Sequence, residues 1–250
     1  MRKLSIFILA STIFVSSFSK DFTSLLGILD GTKHIESTLN SKILPKNINH
    51  TNNSNLNKQV SEIKGKQTFI KNIVPIIKSV EDDIAMNKVR VASLSKKSTL
   101  TLEEKTFLTN IFDKYRVSYG NFASLMDKMI MPPTSLIVAQ ASLESGWGTS
   151  KISSRSNNLF GMKSFSKNEP RVKADDSLHY RKYENVKESV YDYVINLSRH
   201  NAYKSLRKGI KNGEDSTSLT KYLTAYCEQG DYKDKLNHLI KSNNFKKFDV

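Results

Sequence analysis

The stretch from Pro132 to Lys163, PPTSLIVAQASLESGWGTSKISSRSNNLFGMK, constrains this chain more than any other. Two prolines precede an apolar run, and Thr134 and Ser135 stand where a helix N-cap is expected. From Leu136 to Leu143 every residue except Gln140 and Ser142 is apolar or small. A helix without a polar face has to be buried on most sides, so other elements must surround it. Gly146 is placed to end it. Glu144 falls in the last turn, shortly before Trp147, the only tryptophan.

That placement has a chemical consequence. The C-terminal end of a helix carries partial negative charge, and apolar neighbours disfavour an ionised carboxyl, so both effects raise the pKa of Glu144. A carboxylic acid kept protonated near neutral pH can donate to a leaving glycosidic oxygen. The plainer reading is a hydrated Glu at a helix end, with Trp147 as ordinary core.

Two blocks in order, AQASLESGWGTS and NNLFGMK, give the chain a likeness. It resembles the glucosaminidase family of peptidoglycan hydrolases, glycoside hydrolase family 73 in its broad sense. The shared residues are Glu144, Ser145, Gly146, Trp147 and Gly148, then Asn157, Asn158, Leu159, Phe160 and Gly161. KQTFIKNIVPIIKSVEDDI, from Lys66, is similar to the helical arm of the family's Bax-like branch, and ESVYDYVINLSRHNAYKSLR and YCEQGDYKDKL are similar to its later helices. The likeness runs from about residue 64 to 249. It implies a mainly α (α+β) fold, a lysozyme-like helical domain with a small β-hairpin lobe. It also implies an endo-β-N-acetylglucosaminidase that cuts between N-acetylglucosamine and N-acetylmuramic acid.

Four segments are expected. Residues 1–19 read as a secretory signal, with Arg2 and Lys3 before an apolar stretch and small residues Ser17 and Ser19 near a cut site. An uncleaved anchor is the alternative. Export to the periplasm or cell envelope follows from either. Residues 20–60 include KNINHTNNSNLN and read as a polar linker or disordered arm. Residues 61–100 form a helical arm, with a kink or break expected at Pro75. Residues 101–250 form the catalytic domain, opened by a capping box of Thr101 and Glu104. Its β-compatible pieces lie at 171–173 and 179–183, and a helix capped by Ser218 is expected to run to Gly230.

The formal net charge of +15 favours an anionic partner. For an exported chain, peptidoglycan glycan strands fit better than nucleic acid. Base composition offers a neutral explanation of the same charge. The scattered His residues show no ligand spacing, so neither a metal nor another cofactor is expected, and the protein is read as a monomer. The single cysteine, Cys227, has no surrounding catalytic motif and reads as inert.

Glycoside hydrolysis normally uses a second carboxylate besides the acid. The Bax-like branch often carries a glutamate after a histidine in the lobe, but here His179 is followed by Tyr180. Asp175 and Asp176 are the expected substitutes, and turn residues otherwise. Tyr226 matches the family's cleft tyrosine, able to orient the sugar's acetamido group or a water. It is a core tyrosine otherwise. Trp147, Asn157, Asn158 and Phe160 are the expected substrate-binding residues. Asn can bond sugar or form turns, and Trp147 and Phe160 can stack or simply pack. The alternatives are a muramidase or lytic transglycosylase on the same fold, or a non-catalytic wall-binding scaffold.

Overall fold

The computed structural model describes residues 53–227 and 230–249. The expected signal and most of the expected linker lie outside these residues. From Gln59 onward the chain forms one compact unit.

Helix α1, Asn53–Leu94, passes through Pro75 without a break. Its first turns occupy sequence expected to be linker. Proline in a helix interior removes one hydrogen bond and crowds the preceding turn, at about 3 kcal/mol. Ile73, Ile77, Val80 and Ile84, at helical spacing on both sides of Pro75, are all buried in one core. Burying each such side chain is worth about 1.5–3 kcal/mol, so packing holds both halves in register and outweighs the proline. The arm is therefore integral to the main core.

Helix α2, Leu102–Lys114, starts with the expected capping box: the Glu104 amide donates to Thr101 Oγ1 at 3.2 Å, and the Thr101 amide donates to Glu104 Oε2 at 3.0 Å. Helix α3, Phe122–Lys128, is capped by Asn121. These two helices and the end of α1 enclose a smaller cluster built on Phe112, Tyr115, Leu125 and Met129.

Helix α4, Thr134–Ser145, is the central helix, and Leu136, Ile137, Val138, Ala139 and Ala141 are wholly buried. Thr134 and Ser135 lie inside it. The N-cap is Pro133, which offers no side-chain bond. The missing cap comes from far down the chain, where Asp249 accepts from the Ser135 amide at 2.7 Å and from the Ser135 hydroxyl at 2.6 Å.

A short helix α5, Lys151–Ser156, leads to the hairpin of β1, Arg171–Lys173, and β2, His179–Arg181. The strands are antiparallel, with Val172 opposite Tyr180. The mainly α domain with a small hairpin lobe is thus what the chain forms. Helix α6, Val186–Arg199, buries Val190, Val194 and Leu197. It is followed by α7, Lys204–Lys211.

The helix expected from Ser218 to Gly230 is not formed. Asp215 caps a single turn, α8, Ser216–Leu219, which tightens into a 3-10 turn at Thr220–Tyr222 and then leaves helical geometry. Leu223 is anchored in the core and Tyr226 on the Phe160 carbonyl, which holds the intervening chain on an irregular path. Helix α9, Tyr232–Ser242, packs along α4.

Candidate active site

Glu144 lies one turn after Gln140, on the same face of α4. Gln140 is fully buried, and its two ends are used differently. Its Oε1 accepts a short hydrogen bond from the Tyr193 hydroxyl of α6. Its Nε2 donates to the Tyr232 hydroxyl of α9 at 3.0 Å. Tyr232 then donates its own proton to Glu144 Oε1 at 2.7 Å. Because the amide supplies a donor to Tyr232, the single hydroxyl proton is directed at the carboxyl group.

Burial raises the Glu144 pKa, and the Tyr232 hydrogen bond offsets part of the rise. Burial also holds the Tyr193 and Tyr232 hydroxyls far above their ordinary range, with Glu144 adding to the effect, so both remain donors. Phe160 stacks on Tyr193 with ring centroids 4.0 Å apart, and Tyr226 lies 6.1 Å from Tyr232, nearly parallel to it.

Of these groups, Glu144, Phe160 and Tyr226 line a cleft of about 770 Å³. Tyr203 lines it with them, and Tyr180 and Phe165 line it from the segment of the hairpin lobe. Phe165 is 89% exposed, an aromatic ring open to water on the wall of the cleft. Glu144 is the only carboxylate among the described residues that line this cleft.

A family model described as glucosaminidase, mannosyl-glycoprotein endo-beta-N-acetylglucosaminidase, matches residues 119–245, about half the chain. The chain belongs to the glucosaminidase family. It is 35% identical over 163 residues to Protein bax of Escherichia coli (strain K12), covering 61% of this chain and 58% of that one. It is 24% identical over 169 residues to Exo-glucosaminidase LytG of Bacillus subtilis (strain 168), covering 62% and 57%. The chain thus spans a little under three fifths of the length of these relatives. The catalytic domain of the autolysin Auto from Listeria monocytogenes aligns with a TM-score of 0.40 at 24% identity, covering 63% of this chain and 94% of that domain.

The matched glucosaminidase span contains every residue expected at the site, but the structure gathers only some of them. Glu144, Phe160, Asn158 and Tyr226 line the cleft. Asp175 and Asp176 do not. They sit at the hairpin turn, where Asp175 pairs with Lys151 at 2.9 Å, and Asp176 accepts from the Leu178 amide and the Tyr180 hydroxyl, both at 2.9 Å. Those local partners account for two acids in a turn.

Trp147 is not a cleft residue either. It adopts a left-handed conformation with φ 60°, between Gly146 at 56° and Gly148 at 78°. Its ring meets the edges of Phe69 on α1 and Phe245, at 6.0 and 6.3 Å, under the Lys66 ammonium. A Cβ on Gly148 would stand 3.1 Å from the Phe69 ring. The Gly-Trp-Gly turn is therefore the seat for α1.

The asparagines hold backbone. Asn157 closes α5 at φ 54° and donates to the Tyr183 and Glu184 carbonyls. Asn158, 2% exposed, donates to the Met162 and Arg181 carbonyls and accepts from the Met162 amide. It stitches the Leu159–Gly161 turn to β2. The Tyr226 hydroxyl donates to the Phe160 carbonyl at 2.6 Å.

Gln140, Tyr193, Tyr232 and Phe165 were not anticipated. Gln140 had a signal, being a lone amide one turn before the acid in an otherwise apolar helix. Phe165 had one too, as an aromatic in a polar, aperiodic segment.

Proposed function

We propose that this chain is an exported peptidoglycan hydrolase that cuts the β-1,4 bond between N-acetylglucosamine and N-acetylmuramic acid, with Glu144 as general acid. The family membership supports glycoside hydrolysis. The observation that carries the reading is Glu144 itself, its pKa raised by burial, at a cleft and with one oxygen occupied by Tyr232. With Oε1 accepting from Tyr232, the carboxyl proton resides on Oε2.

In this reading Oε2–H protonates the leaving glycosidic oxygen as the C–O bond breaks. No second carboxylate lines the cleft among the described residues, so the substrate's own acetamido oxygen closes on the anomeric carbon. Water then opens that ring and returns a proton to Glu144. Phe165 offers an apolar face to a sugar ring. Tyr226, Asn158 and Phe160 act by shaping the wall.

A lytic transglycosylase or muramidase is the second reading, favoured by the same single carboxylate. In the transglycosylase, a hydroxyl of the muramic residue takes the place of water. The relative named an exo-glucosaminidase supports cleavage next to glucosamine, and product length separates endo from exo action. Purified peptidoglycan is digested with the protein and with Glu144→Gln, and the products are reduced with borohydride and weighed by mass spectrometry. Reduced glucosamine ends, absent with Glu144→Gln, are expected. Reduced muramic or anhydro-muramic ends would move the enzyme to the second reading. Wall binding without products would leave a scaffold.

A further inference from the structure

Four arginines gather around α6, and they are not equivalent. Arg181 of β2 is neutralised, with Nη1 2.7 Å from Asp192 and Nε 3.4 Å from Glu169. Arg207 is consumed by the fold, donating to the Leu197 and His200 carbonyls at 3.0 and 2.8 Å. Arg116 and Arg199 have no ion-pair or side-chain hydrogen-bond partner among the described residues, and both line the cleft that holds Glu144. Lys163, also on the cleft wall, forms no ion pair among them.

Both arginines are deliberately placed by the backbone. Arg116 follows α2 at φ 51°, a conformation that costs a non-glycine residue about 1 kcal/mol or more. Lys128 Nζ holds that turn by donating to the Tyr115 and Arg116 carbonyls at 3.2 and 3.0 Å. Arg199 ends α6 and is half-buried. Burial lowers its pKa, Asp192 opposes that, and Arg116 and Arg181 lower it further. A half-buried guanidinium facing other cations, with its planar donors unused, suits an anion that accepts two parallel hydrogen bonds.

We propose that Arg116 and Arg199 form a carboxylate-binding subsite on the cleft wall, which reads the acidic lactyl-peptide substituent of a muramic residue. This rests on the hydrolase reading above and names the part of that substrate the cleft discriminates. Every muramic residue carries a lactyl carbonyl, free as a carboxylate or extended by a peptide that bears carboxylates. A chitin-type chain has neither. The subsite thus prefers wall glycan over uncharged N-acetylglucosamine polymers, and the preference weakens with salt.

Glu144→Gln protein is titrated calorimetrically with three glycans of equal sugar length. One bears peptide stems, one has been stripped by an amidase to leave lactyl carboxylates, and one is a chitooligosaccharide. The charged glycans are expected to bind at least 10-fold tighter than the neutral one, with a further gap closing in 0.5 M NaCl. Arg116→Gln and Arg199→Gln are each expected to lose roughly 10-fold towards the charged glycans, and Arg199→Lys less. Preference surviving the stripping assigns the lactyl carboxylate, and preference lost on stripping assigns the stem. Near-ultraviolet circular dichroism confirms that each variant is folded. Equal affinity for all three glycans, or an undiminished preference in the folded double variant, overturns the subsite while leaving the hydrolase reading intact. Failure to bind any glycan, with no digestion by the unsubstituted protein, overturns the hydrolase reading itself.

Discussion

Helix α4 carries a polar requirement at each end, and the fold meets the two in opposite ways. At the N-terminus, orphan amides and positive helix-end charge receive the Asp249 carboxylate through two hydrogen bonds at 2.7 and 2.6 Å. At the C-terminus, Glu144 is held by burial and meets one donor among the described residues, Tyr232, where the helix end is already negative. The same functional group is a fastener at one end and a reluctant anion at the other. A carboxylate cap and a carboxyl of raised pKa thus stand at the two ends of one twelve-residue helix.

Removing the reluctant anion should have the largest effect. Glu144→Gln is expected to lower kcat by about 10²–10⁴-fold, the usual worth of a general acid. The same change should stabilise the fold at pH 7 by on the order of 1 kcal/mol. The sign follows from linkage. The folded-state pKa is raised, so stability is fully present below the unfolded value and is lost as pH rises through the folded one. The stability gain of Glu144→Gln should accordingly vanish below about pH 4. Urea unfolding at several pH values checks this, and a gain that persists in acid would break the contrast between the two ends.

Tyr232→Phe comes next. It removes the donor to Glu144 and leaves burial alone to set the acid, so the basic limb of the pH–kcat profile should move to higher pH. It also strands the Gln140 amide, at about 1–3 kcal/mol of stability. An unmoved limb would mean that Tyr232 does not act on the titrating group.

At the other end, Asp249→Ala should cost about 1 kcal/mol and roughly 2–4 °C in Tm, with kcat of the folded enzyme retained. Loss of kcat in a folded Asp249→Ala protein would show that the two ends are coupled. Phe165→Ala should raise KM by several-fold with Tm unchanged, and steady-state kinetics on soluble glycan reads it. Asp175→Asn should change neither kcat nor Tm, and a large fall in kcat would return a second carboxylate to the hairpin turn.

What the sequence revealed divides along the same line of reach. The α4 helix, the Thr101–Glu104 box and the hairpin were legible because each is written in residues a few positions apart. Glu144 was legible as a candidate acid because it and its apolar helix are contiguous. The partners that tune it are not contiguous. Tyr193 is 53 residues from Gln140, Tyr232 is 88 from Glu144, and Asp249 is 114 from Ser135. No local pattern records such pairings. Asp175 and Asp176 stayed open in the sequence because acids in a polar lobe suit a turn and a site equally, and the fold places them outside the cleft. Trp147 could be read as stacking or packing, and its neighbours in sequence say nothing of Phe69, on which it packs. At Pro75, local propensity opposed a helix that the buried isoleucines on either side sustain.

The span between Ser135 and Asp249 also orders events in time. A ribosome emits α4 well before Tyr232, and Tyr232 before Asp249. Until those residues arrive, Glu144 is an ordinary hydrated carboxylate on an uncapped, unwrapped segment, without the burial that raises its pKa or the Tyr232 hydroxyl that partly offsets the rise. Synthesis therefore withholds the raised pKa of Glu144 until the distal part of the domain exists. On the proposed reading, a chain still unfolded holds Glu144 in its hydrated state, and the raised pKa arises only once α9 has packed along α4.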